Sequence, residues 1–295
     1  MEKLIDGKLI SKALIEEISN ETKEFVANGG KKPHLAAILV GNDGASETYV
    51  NSKIKMCLEV GFESSVIRCT STITEEQLLK KIEKLNNNPG IDGFIVQLPL
   101  PRHISELKVI EAINPQKDVD GFHPANIGRM ALNLPSYLPA TPFGICQMLE
   151  KSGIETEGKT CVVVGRSHIV GSPISILLAR NSNPGNCTVT LCHSKTQNLK
   201  EICSKADILI AALGKPEFIT KEYVKKGAIV IDVGIHRVQD SSSDKGYLIK
   251  GDVKFDEVEP LASKITPVPG GVGPMTIVSL LKNTLLAAQK KVYAY

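Results

Sequence analysis

From residue 11 to residue 26 the apolar side chains Leu14, Ile15, Ile18, Phe25 and Val26 recur at the spacing of one helix face, and Gly29-Gly30 closes the run. The pattern then changes period. Leu35–Val40, Ser65–Cys69 and Gly93–Gln97 are short apolar or alternating runs that predict strands, separated by helical patterns over Thr48–Val60, Glu75–Asn86 and Ser105–Ile113. Strands alternating with helices predict a parallel sheet with crossover helices. A proline-rich passage from Leu134 to Pro142 precedes a helical pattern over Phe143–Lys151. Beyond it the apolar runs Thr160–Val164, Thr188–Cys192, Asp207–Ala211 and Ala228–Val233 again alternate with helices, as a doubly wound nucleotide-binding sheet does. Met275–Lys290 predicts a last helix. The fold class is therefore α/β, in two domains that meet near residues 145 and 146. Ser241–Gly246 is polar and ends in glycine, which predicts an exposed turn.

Composition narrows the function classes. With 295 residues, 42% hydrophobic and 23% charged, the chain can build two ordinary cores. Its start carries no long apolar signal core and no run reaches the roughly 18 apolar residues of a membrane span, so a cytoplasmic protein without a membrane partner is expected. The seven cysteines are odd in number and contain no Cys-x-x-Cys pair, and the six histidines show no His-Glu-x-x-His arrangement. Buried, reduced thiols and no metal are expected. A formal charge of +3 with no tryptophan does not suit a nucleic-acid binder.

Chemistry concentrates in a few places. Tyr49 and Lys53 lie four apart, on one face of a predicted helix leaving the carboxyl end of a strand, where open α/β sheets bind ligands. The plainer reading is a buried stripe of Tyr49, Lys53, Met56 and Val60 with the lysine snorkelling at its edge. Gln97 follows a strand that Pro99 stops, and Asp118 and Asp120 stand beside Gly121 in a predicted loop. Gly165-Arg-Ser-His-Ile-Val-Gly171 follows an apolar strand and opens a helix, where free N–H groups and the helix dipole attract a pyrophosphate. It departs from Gly-x-Gly-x-x-Gly: Ser167 replaces the second glycine and the last glycine comes one position late. The next strand ends in His193-Ser194-Lys195, without the acid that commonly holds an NAD ribose 2′-hydroxyl, so a 2′-phosphate would be accepted there. Ile265–Thr276 packs three prolines and three glycines into twelve residues before the last helix.

These segments, in this order, resemble the bifunctional methylenetetrahydrofolate dehydrogenase/methenyltetrahydrofolate cyclohydrolase family along nearly the whole chain. The resemblance implies NADP-dependent oxidation of 5,10-methylenetetrahydrofolate to the methenyl cation and its hydrolysis to 10-formyltetrahydrofolate, in one-carbon metabolism and purine biosynthesis. It implies a folate-binding catalytic domain over 1–145, completed by a returning helix at 275–295, and a Rossmann-like NADP-binding domain over 146–274. Lys53 is the expected proton relay, with Tyr49 and Gln97 positioning and Asp120 anchoring the pterin; Asp118 reads as a loop or capping residue. Val96, Leu98 and the turn Pro269, Gly270, Gly271, Val272, Gly273 and Pro274 match substrate-wall positions. Gly165, Arg166, Ser167, Ser194 and Ile235 match cofactor positions, and Lys195 could add charge. Tetrahydrofolate derivatives, including polyglutamylated ones, and a second copy in a homodimer are the implied partners. Ala140 stands where many relatives carry cysteine, a position no proposed step uses. The competing readings are a dehydrogenase without efficient hydrolysis, a non-catalytic nucleotide-binding regulator, and a dehydrogenase for another small substrate.

Overall fold

The computed structural model describes residues 3–240 and 246–293, so the expected turn at Ser241–Lys245 lies outside the described residues. The chain divides into two compact units, one of residues 12–140 and 277–295 and one of residues 1–11 and 141–276.

The first unit contains most of α1 (Gly7–Ala27), then β1 (His34–Val40), α2 (Gly44–Glu59), β2 (Glu63–Cys69), α3 (Glu75–Asn86), β3 (Gly93–Val96), α4 (Glu106–Ala112) and α5 (Pro124–Ala131). The three strands form a parallel sheet in the order β2-β1-β3. β1 is central, which is why six of its seven residues are buried and its sequence is apolar without alternation. The chain moves from β1 to β2 on one side and to β3 on the other, so the strand order switches at the carboxyl ends of β1 and β3. α2 starts there, capped by Asp43, whose carboxylate accepts from Ser46 N at 2.8 Å. α3 starts in a reciprocal capping box between Thr74 and Gln77 and buries Leu78, Ile82 and Leu85 against Ile38 and Phe94.

The second unit carries α6 (Ala140–Lys151), β4 (Thr160–Val164), α7 (Gly171–Ala179), β5 (Thr188–Cys192), α8 (Leu199–Cys203), β6 (Ile208–Ala211), β7 (Ile229–Asp232), the antiparallel pair β8 (His236–Gln239) and β9 (Tyr247–Lys250), α9 (Phe255–Val258), β10 (Lys264–Ile265) and the start of α10 (Val272–Ala288). Its parallel sheet has the order β10-β7-β6-β4-β5, with the switch between β4 and β6. The edge strand β5 is mostly exposed, while β4 and β6 are buried almost throughout.

Several expected bounds shift: α1 begins at Gly7 rather than Ser11, and α2 at Gly44 rather than Thr48. By contacts, residues 1–11 group with the second unit, where Ile5 N donates to Ile265 O at 2.8 Å and Lys8 N to Gly270 O at 3.1 Å. α10 begins at Val272 rather than Met275, so Val272, Gly273 and Pro274 form its first turn. Pro274 fits there because first-turn N–H groups have no intrahelical partner to lose. α6 likewise begins at Ala140, three residues before Phe143, with Pro142 in its first turn.

Candidate active site

In the first unit the switch point holds Lys53 and Gln97. Lys53 projects from the third turn of α2 and is only 5% exposed. Gln97 follows β3 directly, its N–H donating to Ile38 O at 2.9 Å, which pins it against the end of β1. The Lys53 amine donates to Gln97 Oε1 at 3.2 Å, and Gln97 Nε2 donates to Leu98 O at 2.7 Å. The second bond decides the first: with its NH2 spent on a carbonyl, the amide presents oxygen to the lysine. The Tyr49 ring covers the same amine at 4.5 Å.

Burial pushes the Lys53 amine below the ordinary lysine value, while Asp120 and Cys57 pull it back up. Tyr49 also favours the charged form, since an ammonium over a ring gains about 0.5 to 2 kcal/mol. Desolvation outweighs the two charges. Asp120 is pushed up by its own burial, opposed by Lys53, with Asp118 adding to the rise. Asp120, Val96, Leu98, Phe94, Phe122 and Asp118 line one small recess of this unit. One buried amine, a neutral amide acceptor, an aromatic cover and a carboxylate are therefore gathered at one sheet end, a set able to pass a proton and to accept from N–H donors.

Asp118 is 2% exposed and its carboxylate accepts from His123 N at 2.8 Å, Asn126 Nδ2 at 2.9 Å and Phe122 N at 3.3 Å. It holds the loop that presents Asp120, the structural role its sequence setting suggests. Gly121 takes φ +74°, and a Cβ there would strike the Leu138 backbone, so the loop turns tightly just after Asp120.

In the second unit the β4–α7 turn occupies the other switch point. Gly165 has φ +119°, and a Cβ on it would collide with the Ala212 carbonyl; a Cβ on Gly171 would collide with the Gly165 carbonyl. The late glycine thus does the close-packing work that the usual spacing assigns elsewhere. Ser167 Oγ accepts from Val170 N at 3.1 Å, shaping the turn in place of a second glycine. Arg166, Ser167, Ser194 and Lys195 are exposed, and Gly165 N donates to Cys192 O at 2.9 Å, which sets the Arg166 turn beside the turn carrying Ser194. Ile235, 68% exposed, follows β7. Gly270 packs on the Lys8 side chain, and Gly7 has no room for a Cβ because of the Gly271 carbonyl. These residues fit a dinucleotide: glycines let the backbone approach, and cationic and hydroxyl groups face solvent beside it.

The family description "Tetrahydrofolate dehydrogenase/cyclohydrolase, catalytic domain" matches residues 5–120, and its "NAD(P)-binding domain" matches residues 139–292. The chain belongs to the tetrahydrofolate dehydrogenase/cyclohydrolase family. Bifunctional protein FolD of Cytophaga hutchinsonii is 62% identical, covering 98% of this chain and 99% of its own. FolD of Campylobacter jejuni, a solved structure, superposes with a TM-score of 0.91 at 44% identity, covering 98% of this chain and 99% of its own. The Trypanosoma brucei enzyme, solved with NADP cofactor and inhibitor, gives a TM-score of 0.91 at 37% identity over 100% of both chains. The bifunctional assignment, as dehydrogenase and cyclohydrolase of one-carbon metabolism with a nicotinamide cofactor, stands on this membership.

Among the described residues no helix is long and apolar enough to cross a membrane, and no group of three or more His, Cys, Asp or Glu could hold a metal ion. All seven cysteines are buried, and burial pushes the Cys57, Cys146 and Cys203 thiols up to about 12. Sequence reasoning passed over two further acids. Asp232 ends β7 and Asp252 follows β9; they are 3% and 0% exposed. Burial pushes the Asp232 carboxyl up to about 6, against the N–H groups of Val253, Asp252 and Gly234, with Asp252 adding to the rise. The only local signal was a glycine beside each acid's neighbourhood, Gly234 and Gly251, too common a feature to single out.

Proposed function

We propose that this chain oxidises 5,10-methylenetetrahydrofolate with NADP and hydrolyses the resulting 5,10-methenyl cation to 10-formyltetrahydrofolate, with Lys53 as the proton relay. The hydrogen bond from the buried Lys53 amine to the neutral Gln97 oxygen carries the reading. An ordinary lysine, with a pKa of about 10.4, is charged at neutral pH and cannot accept a proton. Here burial already favours the neutral amine, and an amide partner orients it without the countercharge a carboxylate would bring. A cationic methenyl group beside it would act in the same direction. Neutral Lys53 can then take a proton from the attacking water and return it as the ring C–N bond opens.

Asp120 suits the amino-pyrimidinone edge of a pterin, whose paired N–H groups a carboxylate accepts well. Val96 and Leu98, which line the recess with Asp120, supply apolar wall, and Tyr49 covers the amine and presents a ring for the pterin to pack on. Pro269–Pro274 match further substrate-wall positions of the family. When bound, NADP supplies the hydride acceptor. Gly165, Arg166, Ser167, Ser194 and Ile235 would hold it, with Arg166 and Ser194 on the 2′-phosphate. A charge-assisted hydrogen bond contributes about 1.5 to 3 kcal/mol, roughly ten- to hundredfold in coenzyme choice. A homodimer, cytoplasmic location and acceptance of polyglutamylated folates complete the proposal; they rest on family resemblance alone.

The test supplies methylenetetrahydrofolate with NADP or NAD and follows reduced nicotinamide and formyltetrahydrofolate separately. Both products are expected, faster with NADP. Reduced nicotinamide without enzymatic hydrolysis would remove the relay reading, and equal use of NAD would remove the 2′-phosphate reading.

A further inference from the structure

Nothing in the chemistry above uses Asp232, Asp252 or His236, yet both acids are buried and accept from backbone amides of the second unit. Asp252 Oδ2 accepts from Leu213 N at 2.7 Å and Gly214 N at 3.0 Å, and Oδ1 accepts from Lys215 N at 2.9 Å. Three successive amides of the turn after β6 thus converge on one carboxylate. His236 Nε2 lies 2.7 Å from Oδ1. Asp232 in turn anchors the backbone that carries this acid, accepting from Asp252 N and Val253 N, each at 2.9 Å. Glycines make room: a Cβ on Gly234 would strike the Asp252 carboxylate and one on Gly251 the Asp232 carboxylate. The turn so held begins at Ala212 and Leu213, the atoms against which Gly165 packs at the β4/β6 switch point.

We infer that Asp252, steadied by His236, is a positioning residue for the nucleotide: it fixes the Leu213–Lys215 turn as one wall of the crevice that receives the coenzyme. The inference rests on the nucleotide-site reading above. Its consequence is a division between the two activities. Hydride transfer needs the coenzyme seated against that wall, whereas hydrolysis of added methenyltetrahydrofolate needs no coenzyme. Releasing the turn should therefore weaken NADP and spare hydrolysis.

The experiment compares parent, Asp252→Ala, His236→Ala, His236→Gln and Arg166→Ala as full chains. KM for NADP and dehydrogenase kcat are measured, together with hydrolysis of methenyltetrahydrofolate without nucleotide. Asp252→Ala leaves three amides without an acceptor and should raise KM for NADP by about tenfold or more, with hydrolysis within about twofold of parent. His236→Ala, at a side chain 21% exposed that removes no backbone acceptor, is expected to raise it about threefold, and His236→Gln, which keeps a donor for Oδ1, to restore it. Loss of both activities in parallel, or a parent-like NADP KM in both Asp252→Ala and His236→Ala, would overturn the inference. Arg166→Ala separates the two failures. A raised NADP KM there with none in the Asp252 and His236 variants sinks this inference alone, while no change in any of them sinks the nucleotide-site reading as well.

Discussion

The two sheets of this chain switch strand order in the same way, and they load the switch point with opposite chemistry. In the first unit the crevice end of β1 and β3 holds a lysine that is 5% exposed, met by an uncharged amide. In the second, the end of β4 holds glycines packed against neighbouring backbone and an exposed arginine and serine. Desolvation shifts the first toward its neutral form, whereas the second carries a guanidinium, cationic by nature and suited to an anion. On the function proposed above, the same topology serves as a reactive site or a selective one according to whether its charge is buried.

The sharpest way to break the contrast is Lys53→Met, which keeps an apolar stem and removes the amine. Hydrolysis of saturating methenyltetrahydrofolate should fall by about 100-fold or more, the usual scale of a lost acid–base group, while circular dichroism and folate affinity stay near parent. Parent-like hydrolysis by folded variant would remove Lys53 as the relay.

Arg166→Ala addresses the other site. The ratio of NADP to NAD affinity should fall by roughly ten- to hundredfold, with NAD binding little changed. An unchanged ratio would take Arg166 out of phosphate recognition.

Gln97→Glu converts the neutral partner into a charged one, making the buried site resemble the exposed one. A carboxylate beside the amine raises its pKa, and each unit costs roughly tenfold in the neutral fraction at a fixed pH below it. The rising limb of the hydrolysis pH profile should shift to higher pH, with at least about a tenfold loss at pH 7. A limb that stays in place, or moves down, would show that Gln97 does not set the amine's charge.

Smallest in catalytic terms is Asp118→Ala, which strips the acceptor from His123 N, Asn126 Nδ2 and Phe122 N in a buried loop. Unsatisfied buried groups cost about 1 to 3 kcal/mol, so the melting temperature should drop by several degrees and folate KM rise as Asp120 loses its support. A parent-like melting temperature and KM would show that the loop is held by other contacts.

What could be read from the sequence was what neighbouring residues determine among themselves. α3 is bounded at Glu75 and Asn86, as expected, because its cap and box, Thr74 and Gln77, lie three residues apart. β4 and β5 also match their apolar runs. The patterns over Phe143–Lys151 and Met275–Lys290 begin three residues after α6 and α10 do, because Pro142 and Pro274 lie in first turns, where a helix tolerates proline but the apolar period does not show. Lys53 and Gln97 were paired through resemblance and chemistry, since their contact spans 44 residues. Asp252 and the turn it holds are 37 to 39 residues apart, and no local pattern announces a carboxylate that serves backbone amides. The grouping of residues 1–11 with the second unit depends on hydrogen bonds to Ile265 and Gly270, equally invisible to periodicity.

The central claim, that burial holds the Lys53 amine toward its neutral form, can be measured on the amine itself. Nitrogen-15 NMR of the lysine Nζ groups, with the Lys53 resonance assigned by its absence in Lys53→Met, gives the titration in the free enzyme. The expected result is a midpoint below that of the surface lysines, moving down again in Asp120→Asn, where the carboxylate that opposes burial is gone. A midpoint at or above the ordinary lysine value would contradict the account.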